Sequence, residues 1–87
     1  MHAVVVRVTI DDRESAEKAL REEVVPRVSQ APGFVAGYWT RKDDKGLSMI
    51  IFESEDAAKQ ASERLQENIP AAVTLEGVEM REVAAHA

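Results

Sequence analysis

Few side chains in this 87-residue chain could do chemistry, and most of them stand alone. Arg7 is a single guanidinium inside the β-branched run "HAVVVRVTI" (2–10). A lone positive charge among valines on a sheet face needs a carboxylate partner or a wet cavity, and in a cavity it would stabilise an anion. Its ordinary partner would be Glu79, Glu82 or Glu53 across the sheet. Tyr38 and Trp39 are the only tyrosine and tryptophan, and they are adjacent. Phe52 closes a later apolar run. Large flat side chains of this kind hold planar rings as readily as they fill cores and interfaces. Glu53 follows Phe52, where it is either a base at a pocket mouth or a solvated strand end. His2 and His86 lie at opposite ends of the chain, where exposed residues are expected. No cysteine is present, which excludes disulfides, thiolate nucleophiles and thiolate metal sites together. With two histidines, a metal cage would have to be built from carboxylates, and no metal site is predicted.

These groups depend on a small set of elements for their positions. In the first run Val4, Val6, Val8 and Ile10 share one face of a strand, and Ala3, Val5, Arg7 and Thr9 share the other. A helix is predicted from Asp12, its N-cap, with Ala16, Ala19, Leu20, Val24 and Val28 at helical spacing and a kink near Val25 imposed by Pro26. Pro32-Gly33 ends it and opens a second strand, 34–42, with Phe34, Ala36 and Tyr38 opposite Val35, Gly37 and Trp39. The run 43–46, "DDKG", is a turn in which Gly46 supplies positive φ, closing a hairpin onto a strand at 47–53. Ser54 caps a second helix to about Asn68, with Ala58, Ala61, Leu65 and Ile69 as its stripe. A last strand at 77–85 alternates Val78 and Met80 with Glu79 and Arg81. The order βαββαβ is that of a ferredoxin-like α+β fold, two helices on one face of a four-stranded antiparallel sheet. Residues 1–87 form a single domain.

Charge narrows the partners. The net charge of -5 opposes polyanion binding unless basic residues cluster, and along the sequence they do not. They alternate with acids in i,i+4 pairs on the helices, Glu14 with Lys18, Glu17 with Arg21, Glu23 with Arg27 and Glu55 with Lys59, as solvated faces do. "KGLSMIIF" (45–52) partly fits the third-strand signature of RNA-recognition motifs. Leu47 and Met49 stand where stacking aromatics are required, however, so no nucleic-acid partner is predicted. No apolar run is long enough for a bilayer and no signal-peptide pattern opens the chain, so the predicted location is cytoplasmic, with no membrane partner.

Two helices cover one sheet face, yet both faces are apolar: Leu47, Met49 and Ile51 lie on one side of the third strand, Ile50 and Phe52 on the other. A monomer would leave one of these wet, and a second copy of the chain is the simplest cover.

The βαββαβ order, the "APGF" leading into the second strand and "IIFESEDAAKQA" entering the second helix resemble the antibiotic biosynthesis monooxygenase-like proteins of the dimeric α+β barrel superfamily. The resemblance spans nearly the whole chain. It implies two sheets pairing face to face in a homodimer. It also implies either cofactor-independent oxidation of a small planar phenolic or quinol-type molecule, or a non-enzymatic ligand-sensing or protein-interaction module. The haem-degrading branch places an asparagine on the first strand, a tryptophan late in the third and a histidine on the second helix. Here those places hold Val6 or Arg7, Phe52 and no histidine, so haem is set aside. The quinol-oxidising branch uses neither metal nor flavin, and no cofactor is expected. Arg7 is the candidate anion stabiliser, and Tyr38, Trp39 and Phe52 are the candidate ligand-binding aromatics. Neighbours on a strand point oppositely, so Tyr38 and Trp39 cannot both face one pocket.

Overall fold

A computed structural model describes residues 1–87. The chain runs through β1 (His2–Ile10), α1 (Arg13–Ala19), a π-helical turn (Leu20–Val24), α2 (Val25–Ser29), β2 (Phe34–Lys42), β3 (Lys45–Phe52), α3 (Glu55–Glu67) and β4 (Val73–Glu82). The four strands form one antiparallel sheet in the order β2-β3-β1-β4. With its helices on one face, this is the ferredoxin-like arrangement. The last strand starts earlier and ends earlier than its alternation predicts, because β4 pairs with β1 along its whole length, from Ile10 with Val73 to His2 with Glu82.

The helices begin where short polar side chains can satisfy free N–H groups. Asp12 Oδ1 accepts from the Ser15 N–H at 3.2 Å, and Ser54 Oγ accepts from the Ala57 N–H at 3.1 Å. Between α1 and α2 the helix widens for one turn, with the Val25 N–H donating to the Leu20 carbonyl five residues back. The cause is Pro26, which has no N–H to offer the carbonyl four residues earlier and would crowd it in a regular helix. The expected kink therefore takes the form of a π turn. Gly33 ends this segment at φ 80°, and a Cβ there would stand 2.7 Å from the Ala57 Cβ. Its carbonyl accepts from the Glu53 N–H at 2.8 Å, locking the loop onto the start of α3.

Two features differ from the sequence expectations. The β2–β3 turn consists of Asp43 and Asp44 alone, and the residue with positive φ is Asp43, at 54°. Gly46 is instead a strand residue whose Cβ would lie 2.7 Å from Val8 Cγ2, so its smallness serves a close approach to β1. A bulge at Val35 also breaks the alternation of β2: Phe34 pairs with Phe52 while Ala36 pairs with Ile51. Phe34 therefore shares the face of Gly37 and Trp39, not that of Ala36 and Tyr38.

The core lies between sheet and α3. Val4, Val6, Ile50, Phe52 and Ala58 form its buried cluster, and Phe34 meets Phe52 edge-on with ring centroids 6.2 Å apart. α3 packs on β1, β3 and β4 and α2 approaches β2, whereas the closest neighbour of α1 is the π turn. The half of the sheet under α1 is thus roofed at a distance.

Candidate functional site

That distance leaves a cavity of about 450 Å³ between helices and sheet. Its floor comes from alternate residues of the central strands, Val6, Val8 and Ile10 of β1 with Ser48 and Ile50 of β3. Its roof comes from Ala16, Leu20, Val24 and Val28 along α1, the π turn and α2. One cause of the opening is local. The widened turn carries Leu20 and Val24 on its inner side, and wide turns of this kind recur at functional sites. The volume falls in the range of small-molecule pockets, which are mainly apolar with a few polar groups.

Trp39 stands on the wall of this cavity. Its indole lies over Gly37, so closely that a Cβ on that glycine would be 2.7 Å from Cη2 and 2.8 Å from Cζ3. Glycine here seats the ring against the strand instead of propping it away. Of the other candidate site residues, Arg7, Tyr38 and Phe52, none lines the cavity. Phe52 shares Trp39's face but is fully buried in the core beneath α3. Arg7 and Tyr38 pair with Leu47 and Met49 on the opposite face of the sheet. The structure therefore divides the four candidates: Trp39 at the cavity, Phe52 in the core, Arg7 and Tyr38 on the open face.

On that open face Arg7 meets a partner anticipated from the sequence. Its Nη1 donates to Glu79 Oε1 at 3.0 Å, and Arg81 Nη2 donates to the same oxygen at 2.9 Å. These hydrogen bonds, from Arg81 first and then Arg7, hold the Glu79 carboxyl below the usual carboxylate range. Beside this triad Tyr38, Leu47 and Met49 are 66%, 45% and 44% exposed, an apolar stripe across β2 and β3 that nothing else in the chain covers. His2 is not a free terminus but the first residue of β1, half-buried, with Nε2 3.8 Å from Glu55.

The cavity mouth holds what sequence reasoning missed. Arg13 and Arg21 from the first helical segments, Arg27 from α2, Arg41 from β2 and Arg64 from α3 all line the cavity, with Glu17 as its single carboxylate. Glu17 lies 3.5 Å from Arg13, 3.8 Å from Arg21 and 3.9 Å from Arg41, the last contact tying α1 to the hairpin across the opening. The basic residues thus do cluster, contrary to their even spread along the chain. Among the anticipated helix pairs only Glu17 with Arg21 forms an ion pair within 4 Å. The one signal available in the sequence was spacing, since Arg13, Glu17 and Arg21 flank the apolar stripe of Ala16, Leu20 and Val24. No three His, Asp or Glu side chains gather in a way that could hold a metal ion.

No family model matches this sequence, and no curated protein shows significant sequence similarity to it. Solved structures do resemble it. A variant of SnoaB, a cofactor-independent oxygenase from Streptomyces nogalater, superposes with a TM-score of 0.73 at 15% identity, over 98% of this chain and 94% of its own. The fold they share with this chain is the ferredoxin-like one. MupZ from Pseudomonas fluorescens shares it with a TM-score of 0.70 at 14% identity, over 91% of this chain and 65% of that longer one. A dimeric ferredoxin-like protein from an uncultured marine organism matches with a TM-score of 0.64 at 10% identity, over 100% and 98% of the two chains. No helix of the present chain is long and apolar enough to cross a membrane.

Proposed function

We propose that the chain forms a homodimer through the open face of its sheet and binds a small planar phenolic or quinol-type molecule in the cavity beneath α1, oxidising it without metal or flavin. The observation that carries this reading is the cavity: about 450 Å³, apolar over its roof and, Ser48 apart, its floor, with the one tryptophan of the chain on its wall. A flat ring buried there loses water on both sides and stacks against an indole. Once deprotonated and desolvated, an electron-rich phenolate or anthrone anion reduces oxygen directly. For anthrone, four electrons pass from the ring methylene to O2. One oxygen atom becomes the new ketone and the other leaves as water with the two methylene hydrogens. The oxygenase described among the similar structures lends this chemistry its support. The exposed stripe of Tyr38, Leu47 and Met49 supports the dimer.

A second reading is a ligand-binding module without turnover. It is favoured by Glu17, the sole carboxylate on the cavity wall, which three arginines engage, and by the lack of any histidine beside it. One experiment separates the readings. Trp39 fluorescence is titrated with anthrone and with simple quinols while oxygen uptake is followed in parallel. Quenching with oxygen uptake supports the oxygenase, and quenching without uptake supports the module. Neither signal with any planar phenol would remove the cavity as the functional site.

A further inference from the structure

A glycine in the middle of a strand weakens it, because it forfeits side-chain contacts and costs backbone entropy. Gly37 holds such a place in β2, paired with Ile50 of β3. Its φ lies outside the left-handed region, where Gly33 alone of the glycines is found. The backbone at this position is therefore open to any residue, and what demands glycine is space. We infer that Gly37 sets the width of the cavity: the empty place above it holds the indole of Trp39 flat against β2, and a side chain there would drive the ring into the space a ligand occupies. The inference rests on the reading that the cavity binds a planar molecule, and it adds the residue that decides how large a molecule is admitted.

Three observations carry it. First, the far edge of the indole fills the position of the missing side chain. A Cβ on Gly37 would stand 2.7 Å from Cη2 and 2.8 Å from Cζ3 of Trp39, with Phe34 Cε2 next at 3.4 Å. Carbon atoms pack at about 3.5–4.0 Å, so the ring and a methyl group at position 37 exclude each other. Second, the glycines are not alike. A Cβ on Gly77 would meet nothing within 4 Å, and Gly46 clears Val8 of the neighbouring strand. Gly37 alone gives way to side chains of its own strand. Third, the floor beside the ring is low. Trp39 pairs across the ladder with Ser48, a small residue that itself lines the cavity. On its other side β2 is the edge of the sheet, where a displaced ring would meet water. An indole that loses its seat on Gly37 therefore finds apolar cover by moving inward over Ser48, and the cavity narrows by that ring.

The test compares Gly37→Ala with the wild-type protein by equilibrium dialysis under nitrogen, with phenol as a small probe and anthrone as a large one. Anthrone should bind Gly37→Ala at least about tenfold more weakly, the scale of overpacking in a filled site, while phenol stays within about twofold. Trp39→Phe supplies the control, because a phenyl ring lacks the far edge that reaches position 37. Adding Gly37→Ala to Trp39→Phe should leave the binding of both probes unchanged. This double variant carries no clash, so it keeps the test open if Gly37→Ala alone does not fold. Equal binding of anthrone by the wild-type protein and Gly37→Ala overturns the inference and leaves the cavity reading standing. Equal loss of both probes also overturns it, because size would not be what the residue controls. So does a loss of anthrone in the double variant relative to Trp39→Phe, because the effect would not pass through the indole. A wild-type protein that binds neither probe removes the cavity reading itself, and the inference with it.

Discussion

Ile50 and Met49 are neighbours in β3 and meet opposite surroundings: Ile50 is 1% exposed beneath the helices, and Met49 is 44% exposed on the other side of the sheet. The same division runs through β2, where Trp39 enters the cavity wall and Tyr38 stands in solvent. It runs through β1 as well, where Val6 joins the core cluster while Arg7 turns to Glu79. The helix face has depth, with side chains packed beneath α3 and a cavity beneath α1. The open face has breadth, an apolar stripe bordered by a charged triad. A face with depth can select a small molecule, and a flat apolar face with a polar border suits another protein surface. In this chain the two faces are separated by nothing more than the alternation of side chains along a strand.

The sharpest test of this division is Phe52→Ala. Phe52 is fully buried and in edge contact with Phe34, so its truncation should cost about 3–5 kcal/mol in denaturant unfolding, if the cavity it leaves cannot collapse. Met49→Glu, one pleat away in direction, should leave the fold of the protomer intact but weaken self-association by about 2–4 kcal/mol by placing a charge in a desolvated stripe. Sedimentation at micromolar concentration should show a dimer for the wild type and a monomer for the variant; a wild-type monomer would break the comparison at its open face. Reciprocal substitution of the adjacent aromatics comes next. Trp39→Ala should weaken planar-ligand binding by roughly tenfold through lost stacking and leave the sedimentation unchanged, with binding followed by calorimetry. Tyr38→Ala should do the reverse. If both variants move the same observable, the two faces are not independent.

The smallest effect belongs to Glu79. Its carboxyl is held below the usual range by Arg81 and Arg7, so the stability it contributes is present in full above the ordinary carboxylate value of about 4.3. That contribution is lost as pH falls through the lowered folded-state value. Glu79→Gln should therefore flatten the acid limb of the stability profile and leave stability nearly unchanged in slope above it. An acid limb identical to that of the wild type would show that the triad is electrostatically idle.

Much of the scaffold was legible because it rests on local rules. Alternating valines announced β1, short polar caps at Asp12 and Ser54 announced the helices, and Pro26 announced a disturbance just ahead of it. Arg7 with Glu79 could be anticipated, since a guanidinium among valines demands a nearby carboxylate. The site was much less legible. Alternation predicts faces only while the count is unbroken, and the bulge at Val35 reversed the side assigned to Phe34. The arginine lining was invisible for another reason. Arg13, Arg27, Arg41 and Arg64 are distant along the chain, and only the crossing of three helical segments over the sheet brings them to one cavity. The cavity likewise belongs to no segment, since it is the space left where α1 and the π turn stand off from the strands.

The Val35 bulge also governs how this chain can change length. The two-residue turn at Asp43 and Asp44 pins the register of β2 from its far end, so the count that decides each face runs backwards from the turn to the bulge. Loss of Val35 would leave Phe34 against Phe52 and every later side chain on its present side. Loss of Thr40 instead would turn Trp39 out to the open face and Tyr38 in under the helices, exchanging the two aromatics in one step. The residue at position 35 can therefore be shed with both aromatics kept on their present faces, while a few residues further along the same strand a single deletion exchanges them.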